Sequence, residues 1–257
     1  MRAILNTAIK VARQTSNQLV RSYDQLAGPV EQSIQDEMIT RIQEQCFLEM
    51  KEEIQKARPE HQVQMADQKA DATKAAEWLL MPLVGAENFM AHNPNFFVAL
   101  AYYEDGQAKV SVIYDCLRND LITAVAGNGA KFNDRKVRCS DVMRVDDTRI
   151  ASQCPIGDVE NRQKQWAKFY LNAALLAANI DCQSVGLLSV IQFVTMQVDA
   201  FVSFQLDLET YQIGSLILKE ANALLTDFKG GEAMADTRTL IAANPKLLRE
   251  LLQLNRS

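Results

Sequence analysis

The sequence predicts a layered α/β fold, on three observations. Two amphipathic helical stretches lead the chain, a run of strand-period segments follows them, and the second half alternates short strands with helices. Composition supports a packed body. The 257 residues are 48% hydrophobic and 23% charged, with a mean hydropathy of −0.14, which is enough apolar material for a sizeable core. With no internal repeat, low-complexity tract or Pro/Gly/Ser linker, the expected organisation is one domain over 1–257, with halves of about 1–145 and 146–257.

The elements follow in order. Leu5, Ala8, Ile9, Ala12, Leu19, Val20, Tyr23 and Leu26 recur at helical spacing over residues 3–26, and Ala27, Gly28 and Pro29 end that helix. A second helix fits 36–57, with Ile39, Ile42, Cys46, Met50 and Ile54 inward, and stops before Pro59. Segments 96–104 and 108–115 flank Asp105 and Gly106, which is a hairpin pattern. Residues 121–126 make a third strand, and 127–137 a turn with a short edge segment. Beyond them the reading is a strand at 149–152, a helix at 160–178, a strand at 181–184 and a helix at 186–196. Then come a strand at 198–204, a helix at about 210–221, short strands at 224–228 and 240–244, and a closing helix from Pro245.

Charge excludes some partners. The chain carries 27 basic and 32 acidic side chains, a net −5, and a pI near 5.2, so it lacks the cationic surplus that drives most nucleic-acid affinity. Direct nucleic-acid binding is therefore not expected. Polar residues from Gln183 to Gln197 interrupt the least polar stretch, and Lys10 and Arg13 interrupt the N-terminal one. Neither a membrane span nor a signal peptide is expected, and the reading is cytoplasmic. The five scattered cysteines form no C-x-x-C pair and read as reduced thiols. His61 and His92 lie in polar stretches and read as surface residues. Lys131, Arg135, Lys136 and Arg138 read as a solvated edge, and Ile213, Leu216, Ile217 and Leu218 as core.

The segment Glu77–Phe89 reads as a strand ending at Pro82, a turn at Gly85 and a helix start. Such a backbone suits an anion or a metal-bridged phosphate. Its side chains do not: Met81, Val84 and Ala86 bring no oxygen for a hard cation, and Glu87 opposes a phosphate.

That segment, with Trp78, Pro82, Leu83, Gly85, Asn88 and Phe89 in register, resembles the inositol monophosphatase signature W-x-x-D-P-L-D-G-T-x-N-F. The resemblance spans nearly the whole chain, through the starting MRAILNTAIKVAR, the central stretch Ala99–Asn133 and the later VDAFVSFQL and GSLILKEANALLTDFKGG. It is greatest to the bacterial branch that doubles as a Nus factor in ribosomal-RNA antitermination. The implied fold is the layered αβαβα sandwich of the sugar-phosphatase superfamily, commonly a homodimer. The family's two motif aspartates, which hold magnesium, match Met81 and Val84, and its water-orienting threonine matches Ala86. Its Glu-Glu pair matches Ala66 and Asp67, its water-activating aspartate Gln43, and the aspartate of W-D-x-A-A-G Thr210. The substrate-side G-S-A turn matches Ser184, Val185 and Gly186. The resemblance thus implies a phosphatase scaffold without its metal ligands, no cofactor, and action through protein partners such as Nus factors and RNA polymerase. Two alternatives stay open. Asp67, Glu87, Asp207 and Glu209 are either ordinary solvated acids, or Asp67, Glu87 and Glu209 form a displaced magnesium site that serves a weakened phosphatase acting on inositol monophosphate or a similar ester.

Overall fold

The computed structural model describes residues 1–26, 32–157, 160–233 and 236–256. The chain divides into two compact units, Met1–Ala126 and Gly127–Ser257. The expected helix stop at Ala27, Gly28 and Pro29 lies outside the described residues.

In the first unit, helices α1 (Arg2–Asp24) and α2 (Gln32–Ala57) pack on a sheet of β1 (Gln62–Met65), β2 (Glu77–Val84), β3 (Phe97–Glu104), β4 (Gln107–Asp115) and β5 (Leu121–Val125). The inward stripe of α1 is centred on Ile4, Ala8, Val11, Ala12 and Leu19, with Leu5, Ile9, Val20 and Tyr23 at its flanks. From α2 it meets Cys46, Met50 and Ile54, and from the strands Trp78, Leu80, Val98, Leu100, Val110 and Val112. β1 runs parallel to β2, whereas β2 to β5 form an antiparallel meander. Asp105 and Gly106 both take positive φ, as a two-residue turn matched to strand twist requires. Leu79, Ala99, Ala101, Ile113 and Ile122, on the opposite face, are as buried as the first set. This is why these strands read as nearly continuous apolar runs rather than alternating ones.

His61 is not the surface residue that its polar neighbours suggest. His61 is buried at 8% exposure, because Trp78 Nε1 donates to its Nδ1 at 2.9 Å and its ring stacks on Tyr102. The polar letters around it masked a residue packed against an aromatic pair. His92 is exposed, as expected, with its ring 5.1 Å from that of Tyr23.

In the second unit the hairpin β6 (Gly129–Phe132) and β7 (Arg135–Val137) turns at Asn133 and Asp134, both at positive φ. Its base is tied down by Glu220, whose carboxylate accepts Gly127 N–H at 2.7 Å and Gly129 N–H at 2.6 Å. A five-stranded sheet follows, built from β8 (Arg149–Gln153), β9 (Asn179–Gln183), β10 (Ala200–Ser203), β11 (Leu224–Thr226) and β12 (Leu240–Ala243), ordered β11-β12-β10-β8-β9. Helices α4 (Glu160–Leu176) and α7 (Pro245–Arg256) pack together over a core of Ile150, Phe169, Val202, Phe204, Ile241 and Leu247. Helices α5 (Gly186–Val194) and α6 (Ser215–Glu220) form a second pair, with Leu187, Val190, Ile213 and Ile217 buried. α7 begins where its sequence says it should: Asn244 Oδ1 caps Leu247 N–H at 3.1 Å and Pro245 fills the first helical position.

The helix expected at about 210–221 is in fact a π-helical turn, Thr210–Gly214, leading into α6. Strands 198–204 and 224–228 are shorter than expected, and β1 was not anticipated, since four residues carry too little periodicity.

Candidate functional site

In the first unit the segment of interest is the end of β2. Its register with β3 steps from Met81 opposite Ala99 to Val84 opposite Phe97, so Pro82 and Leu83 share one partner and form a bulge. Pro82 cannot donate to the ladder, and the Leu83 carbonyl is approached at 3.4 Å by Gln43 Nε2 from α2. Gly85 then turns the chain at φ +75°, where a Cβ would lie 2.7 Å from the Asn95 carbonyl oxygen. Only glycine meets both conditions. The helix α3 (Ala86–Met90) that follows has five residues and carries Glu87 in its first turn.

Around this backbone the side chains are apolar. Val84 is 2% exposed and Ala66 fully buried, while Met81 and Ala86 are half-buried. Asp67 and Glu87 are exposed. A thioether, an isopropyl group and two methyls supply no oxygen, and magnesium demands near-octahedral oxygen coordination. These residues do not fit that ion. Among the described residues no group of three or more His, Cys, Asp or Glu side chains is placed to hold a metal.

In the second unit the corresponding segment is a hydrogen-bonded corner. Ser203 Oγ donates to Gln153 Oε1 at 2.8 Å, Gln153 Nε2 donates to Asp207 Oδ2 at 3.2 Å, and Asp207 Oδ1 accepts Thr210 N–H at 2.6 Å. Asp207 is therefore a half-buried capping acid rather than a solvated one, because it satisfies the first free amide of the π turn. Thr210 is 3% exposed, and its Oγ1 lies 2.5 Å from where a Cβ on Gly186 would stand. That close approach explains glycine at the start of α5. Glu209 is half-buried beside it. Gln153 and Ser203 escaped notice in the sequence, and their only signal is a polar residue inside a short apolar strand.

The cysteines are all free thiols. Burial pushes Cys46 and Cys116 up to about 12, which keeps them protonated and unreactive. Lys131, half-buried, faces the exposed Lys136 across the β6–β7 hairpin. No described helix is long and apolar enough to cross a membrane.

Comparison with known proteins places this geometry. Residues 1–256 match the inositol monophosphatase family. The Nus factor SuhB of Escherichia coli K12 is 27% identical over 259 residues, covering 98% of this chain and 95% of that protein. The extragenic suppressor protein suhB of Bartonella henselae has a solved structure that superposes with a TM-score of 0.84 at 24% identity, covering 99% of this chain and all of that one. An inositol monophosphatase from Anabaena reaches a TM-score of 0.82 at 19% identity, over 99% of this chain and 95% of that one. The layered α/β fold is thus shared across nearly the whole chain.

Proposed function

Since this chain belongs to the inositol monophosphatase family, we propose that it is a catalytically inactive member acting through protein binding, in Nus-type transcription antitermination. The observation that carries the reading is chemical: Ala66, Met81, Val84, Ala86 and Thr210 occupy positions that the resemblance assigns to metal ligands and the water-orienting threonine. In that mechanism magnesium lowers the pKa of the attacking water, clamps the phosphate and offsets leaving-group charge, so losing the donors removes all three contributions together. The scaffold, in contrast, is kept over its full length, which is the pattern of a protein retained for its surface. Relatives named as Nus factors support a protein partner of this class; on this reading the partners are Nus factors and RNA polymerase, and the protein acts in the cytoplasm.

The chain is read as one functional domain, working as a homodimer. Support for pairing comes from α4, where Ala167, Leu171, Ala174 and Leu175 recur at helical spacing on its outer side, with Leu171 62% and Leu175 75% exposed. An apolar stripe of this kind on a soluble helix marks a protein contact.

Two assays test the reading. With inositol 1-phosphate and excess magnesium, phosphate release stays at the uncatalysed level. Pull-down with purified Nus factors and RNA polymerase retains the protein. Magnesium-dependent turnover that disappears in Asp67→Asn refutes the inactive reading and restores the weak phosphatase. Failure to bind any of those proteins refutes the antitermination role.

A further inference from the structure

A cavity of about 510 Å³ lies in the second unit, between α4, the turn after β11 and the segment before β12. None of the candidate metal-binding or catalytic positions is among its described lining residues. We propose that it binds a small organic phosphate carrying a flat ring, of the mononucleotide class.

Its volume falls within the usual range of roughly 300–1,000 Å³ for small-molecule sites. Lys168 enters from α4 and Lys229 from the β11 turn, and neither forms an ion pair among the described residues. Among the described residues that line it the one acid is Asp227, whose Oδ1 accepts Lys229 N–H and Gly231 N–H, each at 2.8 Å. Two exposed lysines therefore border the cavity, against one carboxylate already engaged by backbone amides. Thr239 also lines the cavity with a hydroxyl group, whereas the Thr237 hydroxyl already donates to the Thr239 carbonyl at 3.4 Å. Lysine ammonium groups and hydroxyls are the donors that a phosphate dianion accepts from.

The ring requirement comes from Phe228. It borders the cavity, is half-buried, and is stacked on Phe204 with centroids 4.1 Å apart and planes at 27°. Phe204 belongs to the core, so Phe228 is held in place rather than free to fold over an empty pocket. A fixed aromatic surface beside two cations matches a planar heterocycle joined to a phosphate. A bare sugar phosphate would leave that surface unused.

The test uses calorimetry on the full chain, with AMP, inorganic phosphate and adenosine as probes and EDTA throughout. The expected result is saturable AMP binding, at least tenfold tighter than either fragment, and at least tenfold weaker in Lys168→Ala/Lys229→Ala. Lys164→Ala, one turn away on α4 and paired with Glu160, leaves AMP binding within twofold. Phe228→Leu keeps an apolar packing partner for Phe204 and brings AMP down to the level of phosphate. Absence of saturable AMP binding to the unmodified chain overturns the proposal, as does a double lysine variant that binds within twofold of it. Equal affinity for phosphate and AMP overturns the nucleotide assignment. EDTA keeps the outcome independent of any magnesium-dependent activity.

Discussion

Placing an oxygen donor back at the end of β2 should cost stability and gain no metal. In Val84→Asp the loss of a 2%-exposed isopropyl group removes about 1.5 kcal/mol of burial, at roughly 0.8 kcal/mol for each methyl-sized group. Leaving the new carboxyl without a partner adds about 1–3 kcal/mol, so the variant should be roughly 2.5–4.5 kcal/mol less stable near neutral pH. Burial raises the folded-state pKa of that carboxyl above its unfolded value of about 4. The unfolded chain then releases its proton first, and the penalty grows as pH rises from about 4 toward neutrality. Urea unfolding at several pH values measures both effects. A magnesium site of about 1 mM affinity would restore about 1.4 kcal/mol at 10 mM ion, through preferential binding to the folded state. With Ala66, Ala86 and Met81 unchanged, no such recovery is expected. Met81→Asp, at a half-buried position, keeps the experiment readable if the first variant does not fold. Saturable stabilisation by magnesium in either variant would refute the argument that the surrounding side chains cannot complete a coordination shell.

Three further outcomes follow from the packing. Burial holds His61 below the usual histidine range, so between its folded and unfolded pKa values the unfolded state binds more protons and stability falls with acidification below about pH 6.5. His61→Gln should flatten that slope in unfolding curves from pH 7 to 5. Asn244→Ala removes the α7 cap and two amide contacts, to the Ser140 and Val142 carbonyls at 2.9 and 2.6 Å, and should cost about 2–3 kcal/mol in urea unfolding. Arg149→Met takes the guanidinium, bonded at 3.0 Å, away from Asp199, which is 1% exposed and keeps the backbone N–H of residue 149 at 2.9 Å. Because the arginine is 44% exposed, the loss should be roughly 2–3 kcal/mol, smaller than for a fully buried pair, and largest above the carboxylate pKa.

Much of the fold was legible because long elements repeat their pattern. The helical spacing through α1 and α2, the Asp105–Gly106 turn and the Asn-Pro start of α7 each specify local structure strongly. What stayed hidden depends on partners distant in sequence. β1 exists because Gln62–Met65 pairs with Glu77–Leu80, and His61 is buried only because Trp78 and Tyr102 arrive beside it. At the candidate site the apolar replacements Met81, Val84 and Ala86 could be read directly. The Ser203–Gln153–Asp207 relay could not, since it joins strands fifty residues apart in sequence. The cavity between Lys168, Phe228 and Thr237 was equally invisible, because no local pattern marks three walls from separate segments.

The meander of the first unit also bears on how the protein is made. Val84 and Phe97, the first cross-strand pair after the bulge, are 13 residues apart, whereas Ile150 and Ala200 in the second unit are 50 apart. Loop-closure entropy rises with (3/2)RT ln n, a difference of roughly 1 kcal/mol before any side chain packs. Residues 77–125 can therefore pair strand by strand during translation, while β8 must wait first for β9, whose Ile180 pairs with Ile150 from 30 residues on, and then for β10. Pulsed hydrogen exchange during refolding should find β3 and β4 amides protected ahead of those in β8, and the reverse order would rule this sequence out.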